Sequence, residues 1–453
     1  MACLVSPPRI SNHDFQFDSN YLRPNTKDQI PKNIFTMKTL TVFWSMVKDG
    51  LDTVTHGSRK YHIWMAFLTM VMLIGMYCYS FQIEHGLSVT GMTDRVSWGL
   101  YISNFTFLVG VAAAAVMLVM PTYVLKDIDF KRAVLIGEGL AVAALIMCLA
   151  FVVADMGGPA VLWHMMPVVG VFNFPNSMLT WDVIVLNGYL FLNITIPMYI
   201  LYRHYQGKEA KKNVYVPGAI LSVFWAVGIH LVTAFLYQGL QARPFWNNAL
   251  LGPRFLASAF AAGPALIILV LAVIRNNTIF NIEDKTIKKI SMVVTVAAQV
   301  NLIMLVSELF KEFYAPTHHS ESAYYLFFGL DGKEALLPWI RTSITMNVIA
   351  TVLLTFNKLR NNFKVLYIAC GLLFVAIWIE KGFGLIIPGF IPGPYGKIAE
   401  YTPTLIEIGV TLGIWALGAF VFTVLAKTAI QIESGQLRYK KEKQAKKPEI
   451  QEA

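Results

Sequence analysis

Apolar and polar positions along this chain separate into long blocks. After a polar stretch reaching residue 60, apolar runs fall at about 61–83, 98–123, 133–155, 179–202, 215–240, 254–275, 288–313, 338–357, 363–387 and 403–427. Each is close to the ~20 residues an α-helix needs to cross the hydrocarbon core of a bilayer. The pattern predicts an all-α polytopic membrane protein with ten transmembrane helices. Residues 1–60, with Pro7, Pro8, Pro24 and Pro31, read as a polar, partly ordered tail, and 428–453 as a basic tail. No cleavable signal peptide is expected at the start.

Composition agrees. The chain is 56% hydrophobic and 14% charged, where a soluble domain carries roughly 25% charged residues. A net charge of +10 would suggest nucleic acid in a soluble protein, but its distribution points elsewhere. The two tails, with Lys427 at the edge of the second, and the connections at 126–132, 203–212, 275–289 and 358–364 hold 29 of the 37 lysines and arginines. By the positive-inside rule both termini are cytoplasmic and the other connections face outward. The run Arg438 to Lys447 fits a solvated end facing lipid headgroups. The charge therefore reports topology, and no nucleic-acid partner is expected. Cys3, Cys78, Cys148 and Cys370 form neither a CxxC nor a CxxCH, so no covalent haem or iron–sulfur cluster is expected in this chain.

The outward connections, at about 84–97, 156–178, 241–253, 314–337 and 388–402, are the longer ones and hold His85, His164, Arg243, His318 and His319. Chemistry or docking is expected on that face. The 26 residues between Asp155 and Asp182 contain no Asp, Glu, Lys or Arg. Two carboxylates thus stand at the rims of a Trp- and Met-rich hairpin whose only other titratable group is His164. A carboxylate near hydrocarbon is a functional-site candidate by default, because desolvation lets it hold a proton and pass it on. The competing reading makes each an interfacial acid with a wet head, or makes Asp182 a helix cap. A lone His such as His164 is more often a structural hydrogen-bonding residue than a ligand. Asn104 is either interhelical glue beside the small-residue run Gly110–Ala115 or a hydrogen-bond donor to a ligand carbonyl.

Other polar residues lead less far. His230 sits mid-helix without a histidine at matching depth, which disfavours a haem bound by the bundle. Glu308, Lys311 and Glu312 have the spacing of a local ion-pair network. The adjacent His318 and His319 suit partner contact better than metal. Glu138, Glu380, Lys381 and Glu407 are either a proton path or buried pairs.

These residues also carry a resemblance. Asp155-Met-Gly-Gly-Pro, Trp163-His164 and Asn176-Ser-Met-Leu-Thr-Trp-Asp182-Val resemble the NrfD/PsrC family of quinone-interacting membrane subunits. So do Trp98-Gly-Leu-Tyr-Ile-Ser-Asn-Phe-Thr-Phe, His230-Leu-Val-Thr-Ala-Phe-Leu-Tyr, Arg243-Pro-Phe-Trp, Pro253-Arg-Phe-Leu-Ala-Ser-Ala-Phe, Lys311-Glu-Phe-Tyr, Trp378-Ile-Glu-Lys and Tyr401-Thr-Pro-Thr. The likeness runs from about residue 60 to 427. Its nearest branch is the DsrP type of the DsrMKJOP complex of sulfate reducers, with Hmc and Qrc types close by.

The resemblance implies two four-helix bundles, at about 98–240 and 254–387 within a membrane domain at 61–427, flanked by the first and last helices. It implies a quinone pocket in the first bundle near the outer side. In the related alternative complex III subunit a His stands at the place of Asp155 and an Asp at that of Asp182. A Gly-Arg-Pro of the family is here Gly157-Gly158-Pro159, without the positive charge. Implied partners are a ferredoxin-like iron–sulfur subunit and a multihaem cytochrome c on the outer face, with further membrane subunits, in the cytoplasmic membrane of a bacterium or archaeon.

The expected function is exchange of electrons between menaquinol or menaquinone and those partners, in sulfate or sulfite respiration. Asp155, Asp182 and His164 are the candidates for carbonyl hydrogen bonding and proton exchange, with Asn104 a further quinone contact and no metal ligands. The alternatives are a proton-coupled secondary transporter and a structural anchor that touches no quinone.

Overall fold

The computed structural model describes residues 32–439 apart from 125–129, 167, 279, 281, 315, 318–319 and 394–395. The pair His318 and His319 lies outside the described residues. Ten described helices are long and apolar enough to cross a membrane: α1 (Arg59–Val89), α2 (Leu100–Tyr123), α3 (Ala133–Asp155), α4 (Met178–Tyr205), α5 (Lys212–Gln238), α6 (Leu251–Asn277), α7 (Asp284–Tyr314), α8 (Leu337–Thr355), α9 (Phe363–Phe390) and α10 (Leu405–Glu433). These match the ten apolar runs to within a few residues at most ends. Helices suit this setting because they satisfy their own backbone polar groups where no water can.

α2 packs against α3 and α5, α3 against α4, and α4 against α5. The second group repeats the arrangement, with α6 against α7 and α9, and α8 against both α7 and α9. α10 lies along α1 and α3, outside both groups. In the most apolar window of α2, 94% of residues are buried, against 11% for α1. α2 is therefore the central helix and α1 an outer one.

Lipid offers no hydrophobic drive between helices, so close backbone approach by small residues has to hold them. The run from Gly110 to Ala115 does this. A Cβ placed on Gly263 of α6 would lie 2.2 Å from Ala114 Cβ, and Gly110 faces Ala259. The two groups meet along this seam. On the flank, a Cβ on Gly75 of α1 would stand 2.5 Å from Gly413 Cα of α10.

Two α-helices of eight residues or more among the described residues stand outside the spans. A leading helix, Lys32–Thr55, occupies the second half of what reads in sequence as a polar tail. It is held by packing, since Met46 is buried with Tyr205 and Ile432, and Val42 and Phe43 rest on them. A short helix, Glu321–Phe328, lies in the connection between α7 and α8.

Candidate functional site

α3 carries its acid to its last turn. Asp155 is the final helical residue, and the chain turns away at Gly157, whose φ of +70° favours glycine. Asp155 is half-buried, and its Oδ1 is buried without a hydrogen-bond partner. The connection then forms a 3₁₀ helix, Pro159–Met165, before α4 begins at Met178.

Asp182 therefore lies in the second turn of α4, not at its cap. Ser177 occupies the cap position. The Asp182 carboxylate is 2% exposed and turns into the first bundle. Thr233 of α5 donates to its Oδ1 at 3.0 Å, while Oδ2 is buried with no partner. The helix-cap reading of Asp182 is thereby removed.

One turn along α5 from Thr233, the Tyr237 hydroxyl pairs with Thr106 of α2. Asp155 and Asp182 both lie within electrostatic reach of this hydroxyl. The Tyr237 ring stands among Trp98, Trp246 and Phe255 at centroid distances of 5.8, 5.5 and 6.1 Å. A cleft over these rings is lined by Trp98, Arg243, Trp246 and Phe390.

A second polar band adjoins Asp155. Buried Gln82 of α1 donates to the Ala154 carbonyl at 2.8 Å and accepts from the Tyr101 hydroxyl at 2.6 Å. Glu407, fully buried, lies within electrostatic reach of Asp155. It accepts from the Tyr401 hydroxyl at 2.7 Å, Gly91 N at 2.7 Å and Thr404 N at 2.9 Å. Burial, and then the Glu407 carboxylate, push the Tyr401 pKa up, so this hydroxyl remains a donor. Both Glu407 oxygens have partners, and the residue completes the capping box of α10 with Thr404, the cap. Asp155 and Asp182 each keep an oxygen unsatisfied.

The other candidates are placed differently. His164 is exposed on the hairpin, its ring edge-on to Trp163 at 3.9 Å, and is not carried into the buried band. Asn104 is fully buried, and its Oδ1 accepts from Trp378 Nε1 at 3.0 Å and Trp415 Nε1 at 2.9 Å. Its Nδ2 donates to Leu100 O at 2.8 Å. It ties α2 to α9 and α10, the glue reading. The residues that sequence reasoning passed over are Gln82, Tyr101, Thr106, Thr233 and Tyr237. A readable sign was present in the four-residue spacing of Thr233 and Tyr237, two polar groups on one face of an apolar helix.

The second bundle holds a separate buried charge cluster. Arg254 pairs with Glu308 of α7 and, at 2.8 Å, with Glu380 of α9, which also accepts from Asn347 Nδ2 at 3.0 Å. The local Glu308–Lys311–Glu312 network expected from spacing is replaced, since Glu308 turns inward to Arg254 and Lys311 pairs with Glu312 at 3.1 Å. A buried guanidinium needs neutralising more than an exposed lysine does. Lys381 donates to Phe255 O at 2.9 Å and stands 4.1 Å from the Phe255 ring centroid.

Buried polar groups are ordinarily hydrogen-bonded, and each exception calls for an explanation. Two carboxyl groups with one open oxygen apiece, both within electrostatic reach of one tyrosine in an aromatic and aliphatic bundle, can accept from the hydroxyls of a flat apolar molecule. When protonated they can donate to its carbonyls.

The family model of the polysulphide reductase NrfD matches residues 88–392. The Hdr-like menaquinol oxidoreductase integral membrane subunit of Archaeoglobus fulgidus is 23% identical over 385 residues, covering 82% of this chain and 93% of that protein. A putative dimethyl sulfoxide reductase membrane subunit of Halobacterium salinarum is 22% identical, covering 79% of this chain and 88% of its own length. A selenate reductase subunit of Mesobacillus selenatarsenatis is 22% identical, covering 81% and 92%.

Proposed function

Because the chain belongs to the polysulphide reductase NrfD family, we propose that it is the quinone-reactive membrane subunit of a respiratory electron-transfer complex. Its substrate is menaquinol or menaquinone. Its electron partners are an outward-facing iron–sulfur subunit and a cytochrome c, in sulfate or sulfite respiration. Both termini face the cytoplasm, so the Asp155 and Asp182 end of the bundle is the outer one. The observation that carries this reading is the pair of carboxyl groups, each with a buried and unpartnered oxygen, within electrostatic reach of Tyr237.

Oxidation of a quinol releases two electrons and two protons. Asp182 and Asp155 receive the hydroxyl protons on their open oxygens. Thr233, by holding the other Asp182 oxygen, fixes the direction in which the open one points. Tyr237, paired with Thr106, lies within electrostatic reach of both acids, and the rings of Trp98, Trp246 and Phe390 pack on one another beside it. His164, exposed on the hairpin, is suited to passing protons on toward water. The menaquinol named for the Archaeoglobus relative supports the choice of quinone.

The test is quinol-linked electron transfer by the complex in its native membrane. Asp155→Asn and Asp182→Asn each keep size and lose the ability to take a proton. Each is expected to slow turnover by about 10²-fold, the lower range for loss of a general acid–base group. A structural anchor predicts unchanged turnover in the double variant, and that result would overturn the proposal. Solute flux through the chain without redox partners would favour a transporter instead.

A further inference from the structure

The leading helix Lys32–Thr55 touches the spans in a way that fixes its direction. Near its start, the Tyr202 hydroxyl of α4 donates to Thr39 O at 3.3 Å, and the Phe43 and Tyr202 rings lie 6.4 Å apart. In its middle, Met46 is buried against Tyr205 and Ile432, and the Tyr205 hydroxyl donates to Asp49 Oδ2 at 2.6 Å. Near its end, Gly50 abuts Thr428, and Thr53 Oγ1 donates to Gln431 Oε1 at 3.2 Å.

Residues 39–53 extend over about 21 Å at the rise of an α-helix. Yet their hydrogen bonds and ring contacts on α4 fall at Tyr202 and Tyr205, with Met198 and Leu201 in the same cluster, about two turns, and those on α10 fall between Thr428 and Ile432, about one turn. A helix parallel to the spans would meet successive turns of them. This one therefore lies across their ends. Those ends belong to the basic side of the molecule, where Arg59, Lys60, Arg203 and Arg438 also stand.

The face turned away from the bundle is not uniform. Leu40, Trp44 and Leu51 are 58%, 61% and 61% exposed. At about 100° per residue they fall within an arc of about 40°. That arc lies between the bundle-facing residues Met46 and Gly50 on one side and the exposed Lys48 and Asp52 on the other. A helix facing water alone would not keep Trp and two Leu in one outward stripe. Four residues beyond its end, α1 begins an outward apolar face of its own with Ile63, Trp64 and Phe67.

We propose that the leading helix is an interfacial helix lying in the headgroup–acyl boundary of the leaflet at the basic end. Leu40, Trp44 and Leu51 enter the edge of the hydrocarbon, while Lys48 and Asp52 face water. Crossing from α4 to α10, it belts the first bundle to the flanking helix at the level where a bilayer surface meets the spans. Amphipathic helices with a narrow apolar face of this type lie in the interface plane, and Trp is enriched there.

The test uses the full chain in phospholipid nanodiscs. Nitroxide labels are placed one at a time at Leu40→Cys, Trp44→Cys, Leu51→Cys, Lys48→Cys and Asp52→Cys, with the signal of the unsubstituted chain subtracted. The expected result is that collisions with oxygen exceed those with a water-soluble nickel complex at 40, 44 and 51, and that the order reverses at 48 and 52. Water-like accessibility at the first three positions overturns the proposal. So does exclusion of both reagents, which would mean that another polypeptide covers the stripe. A p-benzoylphenylalanine placed at position 44 gives a second measurement that leaves the cysteines alone. Crosslinks to phospholipid support the interfacial helix, and crosslinks to a protein contradict it.

Discussion

Asp182 and Asp155 are held in different ways, and the difference assigns them different sensitivities. Asp182 is clamped on one oxygen by Thr233, whereas Asp155 is steered mainly by where α3 stops. Thr233→Val keeps the shape and removes the donor. It should lower quinol turnover by about tenfold, the scale of one hydrogen bond to a charged group, without changing the thermal midpoint by more than a few degrees. Equal turnover in the Val variant would show that Asp182 needs no orientation. The two acids were legible in the sequence because a charge inside an apolar block is conspicuous. Thr233 and Tyr237 showed only as two polar groups four residues apart and Thr106 not at all, since a hydroxyl on an apolar helix has the same appearance whether it bonds its own backbone or a neighbouring carboxylate. Asn104 could be narrowed to two roles, but only the two indole donors reveal which it fills.

At the scale of helices, hydropathy located the spans because length and apolarity are what a bilayer demands. It did not reveal the leading helix, whose apolar cluster from Leu40 to Val47 is far shorter than a span and is bracketed by Lys38 and Lys48. Nor did it show Glu321–Phe328, which is too short to cross. Pairing between helices was harder still. Sequence spacing placed Glu308 with its neighbours on α7, but the largely enclosed Arg254 on α6 claims it. Arg254→Met should therefore leave Glu308 and Glu380 buried without their cation. Breaking a buried pair from one side costs about 3–5 kcal/mol, and the expected outcome is a clear drop in the thermal midpoint of the detergent-solubilised chain. An unchanged midpoint would mean that the two carboxyl groups are neutral without the arginine.

Over the whole molecule, the two helix groups have unlike interiors. The second closes its charges on one another through Arg254, Glu308, Glu380 and Asn347. The first keeps three carboxyl oxygens open, on Glu138, Asp155 and Asp182, and the last two lie within electrostatic reach of Tyr237 in its aromatic cluster. That asymmetry, with the NrfD family match over 88–392, is why the proposed quinone site belongs to the first group. The most direct measurement is photoaffinity labelling of the native complex with an azido-menaquinone, followed by peptide mapping. The account predicts labelled peptides carrying Asp155, Asp182 or Tyr237, with labelling suppressed by excess menaquinol. Saturable labelling confined to α6 through α9, or to other subunits of the complex alone, would contradict it.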